Sequence, residues 1–96
     1  MLNTDELLEF LRNHRQTLKS DFRIVKLGLI GSFARGEKYN DVDLLIEEKM
    51  NYEKRNELKT FLEKSLHVPV DIVIKEFAEP IILHRAMKEI KYATGH

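Results

Sequence analysis

Apolar residues recur along the first third of the chain with two different periods, which predicts a helix followed by a strand. A helical period runs from Asn3, a favoured N-cap residue, to about Ser20, and Glu6 is placed to complete a capping box. A β-rich apolar run then covers residues 24–30. Gly28 interrupts this run, which indicates a close neighbour or a bend rather than the end of the strand.

The alternation of strand and helix continues after this run. A second apolar run opens at Asp41 and predicts a strand. Asn51 can cap a helix that runs to about Leu66, with its charged residues on a solvated face. Residues 68–74 predict a third strand, in which Pro69 favours an edge position or a strand start.

The pattern predicts one more helix at the end of the chain. It begins at Glu79, has Pro80 at the favoured first helical position, and ends at Gly95. Its expected buried stripe consists of Leu83, Ala86, Met87 and Ile90. Because no repeat or linker interrupts this order of elements, residues 1–96 are expected to form one compact α/β domain.

The composition excludes some classes of function but does not identify one. Sixteen basic and sixteen acidic side chains cancel, so the overall charge gives no reason to expect nucleic-acid or membrane binding. The chain has no cysteine, which excludes a disulfide scaffold and a thiolate metal site. Since the sequence shows no signal-peptide pattern and no long apolar span, the expected location is cytoplasmic.

A short turn between the first two strands is a candidate anion site. Gly31 permits a close backbone approach, and the Ser32 hydroxyl can cap the turn of helix predicted over 33–35. Backbone N–H groups in such a turn suit phosphate, and Arg35 could add charge-assisted hydrogen bonds. Taken alone, a Gly-Ser pair is more often an ordinary strand-to-helix turn followed by a surface arginine.

Two carboxylates at the start of the second strand strengthen the case for a site. Side chains two apart share one face of a strand, so Asp41 and Asp43 lie together, opposite Val42, Leu44 and Ile46. At about 6 Å and an effective dielectric constant of ~20, they repel by roughly 3 kcal/mol, and a bound cation would offset that cost. Oxygen ligands alone favour Mg²⁺, Mn²⁺ or Ca²⁺.

A third aspartate, Asp71, stands between Val70 and Ile72 in the third predicted strand. An isolated aspartate in this position usually faces solvent. Beside a bound cation, it would be a third ligand.

Together, the turn 31–36, the Asp-x-Asp run 41–46 and the later run 70–73 resemble the minimal nucleotidyltransferases of the DNA polymerase β superfamily. The likeness covers nearly the whole chain. Within that group the chain is most similar to the MNT antitoxins, which are paired with HEPN-domain toxins. The resemblance implies the nucleotidyltransferase fold, a small mixed β-sheet with flanking helices.

The resemblance also implies a role for each candidate residue. Gly31, Ser32 and Arg35 would bind the phosphates of ATP. The three aspartates would hold two Mg²⁺ ions, and Asp71 would also help to activate the attacking hydroxyl. The implied reaction transfers AMP from ATP to a tyrosine of the partner HEPN toxin, in a hetero-oligomer, without direct nucleic-acid binding.

The chain departs from the family pattern in the loop between the turn and the first aspartate. Residues 33–40 supply eight positions, fewer than the family usually has, and Asn40 replaces the customary serine. The main hypothesis is an active antitoxin enzyme, and the alternative is a catalytically silent antitoxin that neutralises a toxin by binding alone. A third hypothesis, a metal-stabilised structural domain, leaves the Gly31–Ser32 turn unexplained.

Overall fold

The computed structural model describes residues 2–94, in which helices and strands alternate along most of the chain. The elements are α1 (Thr4–Asn13), α2 (Arg15–Phe22), β1 (Leu27–Ile30), α3 (Gly31–Ala34), β2 (Val42–Ile46), α4 (Tyr52–Leu66), β3 (Val70–Ile74), a 3₁₀ turn (Lys75–Phe77), α5 (Pro80–Glu89) and β4 (Lys91–Thr94). None of the helices within residues 2–94 combines the length and the apolar character needed to cross a membrane.

The four strands of the described chain form one mixed sheet in the order β3-β2-β1-β4. β2 pairs with β3 in parallel, whereas β1 is antiparallel to both β2 and β4. The predicted mixed sheet with flanking helices is therefore confirmed. β3 lies at an edge of the sheet, as Pro69 just before it indicated.

The N-terminal caps predicted for α1 and α4 are confirmed. Asn3 accepts the N–H of Glu6, and the Glu6 carboxylate accepts the N–H of Asn3 in return. Asn51 likewise accepts the N–H of Lys54 and begins α4, which ends at Leu66 as predicted.

The prediction of one continuous first helix to Ser20 is wrong. The chain forms α1 and α2 instead, with a break at His14, whose backbone leaves the helical region at φ −103° and ψ 13°. The His14 ring stacks on Phe10 at 4.1 Å, and its Nδ1 lies 2.8 Å from the Phe10 carbonyl. A side chain that competes for a backbone carbonyl is a common cause of such a break.

The last predicted helix is also too long. α5 ends at Glu89, and Ile90 turns to an extended conformation with φ −62° and ψ 136°, so the chain continues as β4. The predicted end at Gly95 lies outside the described residues. Tertiary contacts favour the strand, because Ala93 is buried and the Tyr92 hydroxyl donates to Glu47 at 2.7 Å. That hydrogen bond raises the pKa of Tyr92 to about 12.

The two faces of the sheet bury unequal cores. The larger core packs α1 and α4 against one face of the sheet and includes Leu29, Leu44 and Ile72. On the other face, α5 covers a small cluster that contains Ile30, Leu45 and Ala86. Since side chains alternate along each strand, Asp43 and Asp71 belong to this second face, beyond the end of the small cluster.

Candidate active site

The register of three adjacent strands brings three of the predicted site residues together: Gly31, Asp43 and Asp71. Ile30 at the end of β1 pairs with Asp43 on β2, and Asp43 pairs with Asp71 on β3. Gly31 follows Ile30 directly, so the turn lies beside the first of these carboxylates. Asp41 is exposed and lies just outside the observed strand, because β2 begins at Val42 rather than at Asp41.

Asp41 and Asp71 lie close enough to Asp43 to affect it electrostatically. The pKa of Asp43 lies above its ordinary value of 3.8, first because the side chain is half-buried, then because Asp71 and Asp41 repel its negative charge. Within residues 2–94, no group of three or more acidic, histidine or cysteine side chains is compact enough to hold a metal ion by itself. A metal ion beside these aspartates would therefore need further ligands.

This electrostatic arrangement predicts a pH-dependent gain in stability for Asp43→Asn. Because the pKa of Asp43 is raised in the folded state, its stabilising contribution is complete below the unfolded pKa of about 4 and is lost as pH rises through the folded pKa. Asparagine does not titrate, so the variant should melt at a higher temperature than wild type at pH 7, with the difference shrinking towards pH 3. Thermal unfolding in metal-free buffer between pH 3 and pH 8 measures this. A difference in Tm that does not change with pH would contradict it.

Gly31 has a backbone conformation that L-residues rarely adopt. Its φ of 79° lies in the left-handed region, and a Cβ atom there would lie 2.6 Å from Oδ2 of Asp43. α3 begins at Gly31, with Ile30 at its N-cap position. The prediction that Ser32 caps a helix over 33–35 is therefore wrong, because Ser32 lies within the first turn instead.

Arg35 has partners that sequence reasoning missed. Its Nη1 lies 2.9 and 2.8 Å from the two carboxylate oxygens of Glu89, and its Nε lies 3.1 Å from Glu37. These hydrogen bonds raise the pKa of Arg35. Through Nη1 and Nε, the guanidinium thus connects the turn after β1 to the end of α5 and to Glu37.

A family model identifies the fold. Residues 11–93 match the model of the nucleotidyltransferase domain. The chain belongs to this family. The family resemblance and the fold predicted from the turn and its aspartates are confirmed.

Two archaeal relatives resemble the chain along most of their length. The protein adenylyltransferase MntA of Thermococcus cleftensis is 33% identical over 96 residues, which cover 96% of this chain and 97% of that protein. A Methanocaldococcus jannaschii protein, provisionally named a protein adenylyltransferase, is 35% identical over 79 residues, which cover 78% of this chain and 92% of that one.

Solved structures share the fold at lower sequence identity. A mutant toxin–antitoxin complex containing MntA superposes with a TM-score of 0.74 at 21% identity, covering 100% of this chain and 75% of that one. A toxin–antitoxin structure with AMP-PNP gives 0.72 at 23% identity, covering 88% and 73%. The tri-AMPylated HEPN toxin of Shewanella oneidensis with its MNT antitoxin gives 0.69 at 20% identity, covering 93% and 73%.

The shortened loop of this nucleotidyltransferase, residues 33–40, is stabilised by contacts that its own residues make. The Tyr39 ring packs edge-on against Phe33 at 4.6 Å, and its hydroxyl donates to the Leu2 carbonyl at 3.0 Å. The N–H of Glu37 donates to the Ser32 carbonyl at 3.0 Å. The loop is therefore packed against α3 and the chain start, although it is shorter than the family pattern.

Arg55 contacts a candidate site residue in a way that the sequence did not reveal. It lies on α4, whose charged residues were predicted to form a solvated face, but its Nη2 is 3.4 Å from Oδ1 of Asp71. Its Nε donates to the Ile72 carbonyl at 3.0 Å, which fixes the guanidinium against the edge of β3. The sequence shows Arg55 only as a helix residue four positions after the N-cap Asn51. Such a position does not indicate which residue of another element the side chain contacts.

Proposed function

We propose that this nucleotidyltransferase transfers AMP from ATP to a tyrosine hydroxyl of a partner HEPN toxin and thereby acts as an antitoxin. The observation that carries the proposal is the register that sets Asp43 beside Asp71, one strand away from the Gly31 turn. The names of the relatives agree with it, since they describe protein adenylyltransferases and an AMPylated toxin complex.

The donor set fits Mg²⁺. Asp41, Asp43 and Asp71 offer only carboxylate oxygens, and their mutual repulsion is relieved by a cation. Because the described side chains form no compact metal cluster, phosphate oxygens of ATP would have to complete the coordination. Mg²⁺ held there would lower the pKa of the attacking hydroxyl and neutralise charge on the leaving pyrophosphate.

The reaction follows from the order of these groups across the sheet. The backbone at Gly31 and Ser32 would hold the phosphates, since glycine leaves room for a close approach. The tyrosine oxygen would attack the α-phosphorus, a new P–O bond would form, and the bond to the β-phosphate would break to release pyrophosphate. Asp71 would take the hydroxyl proton. Arg35 could assist if phosphate displaced Glu37 or Glu89.

The proposal predicts that ATP binding depends on a divalent metal. Titration calorimetry of wild-type protein should show ATP binding about tenfold or more tighter with Mg²⁺ than with EDTA, a difference of at least ~1.4 kcal/mol. The physical reason is that the three carboxylates repel the triphosphate until a cation lies between them. Mg²⁺ alone should bind more weakly than Mg²⁺ with ATP. Equal ATP affinity with and without metal would contradict the proposed site.

A further inference from the structure

The order of strands indicates from which side an acceptor must reach the site. Gly31 follows β1, Asp43 lies on β2, and Asp71 lies on β3 at the edge of the sheet. In phosphoryl-transfer chemistry the attacking and leaving oxygens lie roughly in line. If the phosphates lie beside Gly31, the acceptor hydroxyl has to approach from the β3 side.

A cavity of about 630 Å³ opens on that side of the sheet. Its wall includes Asp71 and Arg55, together with Asn51 at the start of α4. Tyr52 and Phe77 also line it, and each is 72% exposed. A volume of this size is typical of clefts that bury a small ligand, roughly 300–1,000 Å³.

The charge of this cavity argues against a second phosphate site. Among the described residues that line it, the charged ones are Arg55 and Asp71, and these two bind each other. Phosphate recognition in proteins relies on cations that remain available for the ligand. The remaining lining is mostly apolar and aromatic, which suits an uncharged aromatic side chain with a polar tip.

We propose that this cavity is the acceptor site, in which Tyr52 and Phe77 flank a tyrosine side chain of the partner protein. This inference rests on the proposed function and adds where the acceptor binds. A tyrosine ring between two aromatic residues gains contact area, and its hydroxyl lies at the end of the side chain that faces Asp71. A serine or threonine would leave the two aromatic walls without a partner.

Steady-state kinetics of Tyr52→Ala/Phe77→Ala test this acceptor site. Both side chains are exposed, so the double variant should fold with nearly wild-type stability, as a thermal melt verifies. With labelled ATP, Mg²⁺ and the purified partner toxin, the KM for toxin should rise about tenfold or more, while the KM for ATP stays within about twofold of wild type. Val25→Ala is the matched control, because Val25 is also exposed, at 54%, but lies before β1 and outside the cavity lining.

Each alternative result has a distinct meaning. A rise in the KM for ATP instead of toxin would show that the cavity holds the nucleotide, and it would overturn the acceptor site. Wild-type kinetics in the double variant would overturn it as well. If wild-type protein itself transfers no label to the toxin, the proposed function fails and the acceptor site fails with it.

Discussion

Replacing Asp41 and Asp43 together with asparagine should lower AMP transfer by roughly 10³-fold or more, because single electrostatic groups in active sites are commonly worth about 10²–10³. The variant keeps the shape of both side chains but removes two negative charges from the proposed metal site. Its fold should persist, since Asp41 is exposed and Asp43 lies on the face opposite the larger core. Its melting temperature in metal-free buffer should equal or exceed that of wild type, because repulsion around Asp43 is relieved.

The assay has to separate catalysis from binding. Each protein is incubated with labelled ATP, Mg²⁺ and the partner toxin, and label on the toxin and toxin activity are measured separately. Asp5→Asn/Asp21→Asn is a matched control, since it removes the same charge from two exposed aspartates outside the site. Labelling and neutralisation by wild type and the control, but not by Asp41→Asn/Asp43→Asn, would support the enzyme. If the site variant still neutralises the toxin and no protein labels it, the silent antitoxin is the correct description.

Gly31→Ala should destabilise the protein by about 1–2 kcal/mol and also abolish most transfer. The loss of stability comes from forcing an L-residue to a φ of 79°. The loss of transfer has a different cause, since the added Cβ would lie 2.6 Å from Oδ2 of Asp43 and would push that carboxylate away. Valine at Gly31 would be more disruptive than alanine, because a β-branched residue is even less compatible with a left-handed backbone.

Gly36→Ala separates the two effects. Gly36 has a similar φ of 75°, but a Cβ atom there would meet nothing within 4 Å among the described atoms. Both variants should therefore lose comparable stability in chemical denaturation, whereas only Gly31→Ala should lose Mg²⁺-dependent ATP binding and transfer. Equal activity in the two variants would contradict a role for Gly31 in placing Asp43.

The parts of the structure that follow from nearby residues were predictable. The capping box at Asn3 and Glu6 and the cap at Asn51 depend on spacings of three residues. The candidate site residues were predicted by combining the Gly31–Ser32 turn, the pair Asp41 and Asp43, and Asp71 with a resemblance to a known family.

The parts that depend on distant contacts were not predictable. β4 is only four residues long and is stabilised by pairing with β1 and by burial of Ala93, whereas the helical spacing that predicted a longer last helix lies before β4, in residues 83–90. Arg35 and Glu89 are joined across the fold, and no local pattern specifies such a pair. The break at His14 depends on how one ring packs against Phe10.

The position of β4 has a consequence for synthesis on the ribosome. β1 forms early in the chain, yet one of its two neighbours in the sheet is β4, the last strand of the described chain. With elongation at about 5–20 residues per second, β1 keeps an open edge until the end of β4 has left the exit tunnel. A nascent chain therefore holds the turn at Gly31 on an incompletely paired strand. Nucleotide binding at this turn would then begin only after β4 has been synthesised and has paired with β1.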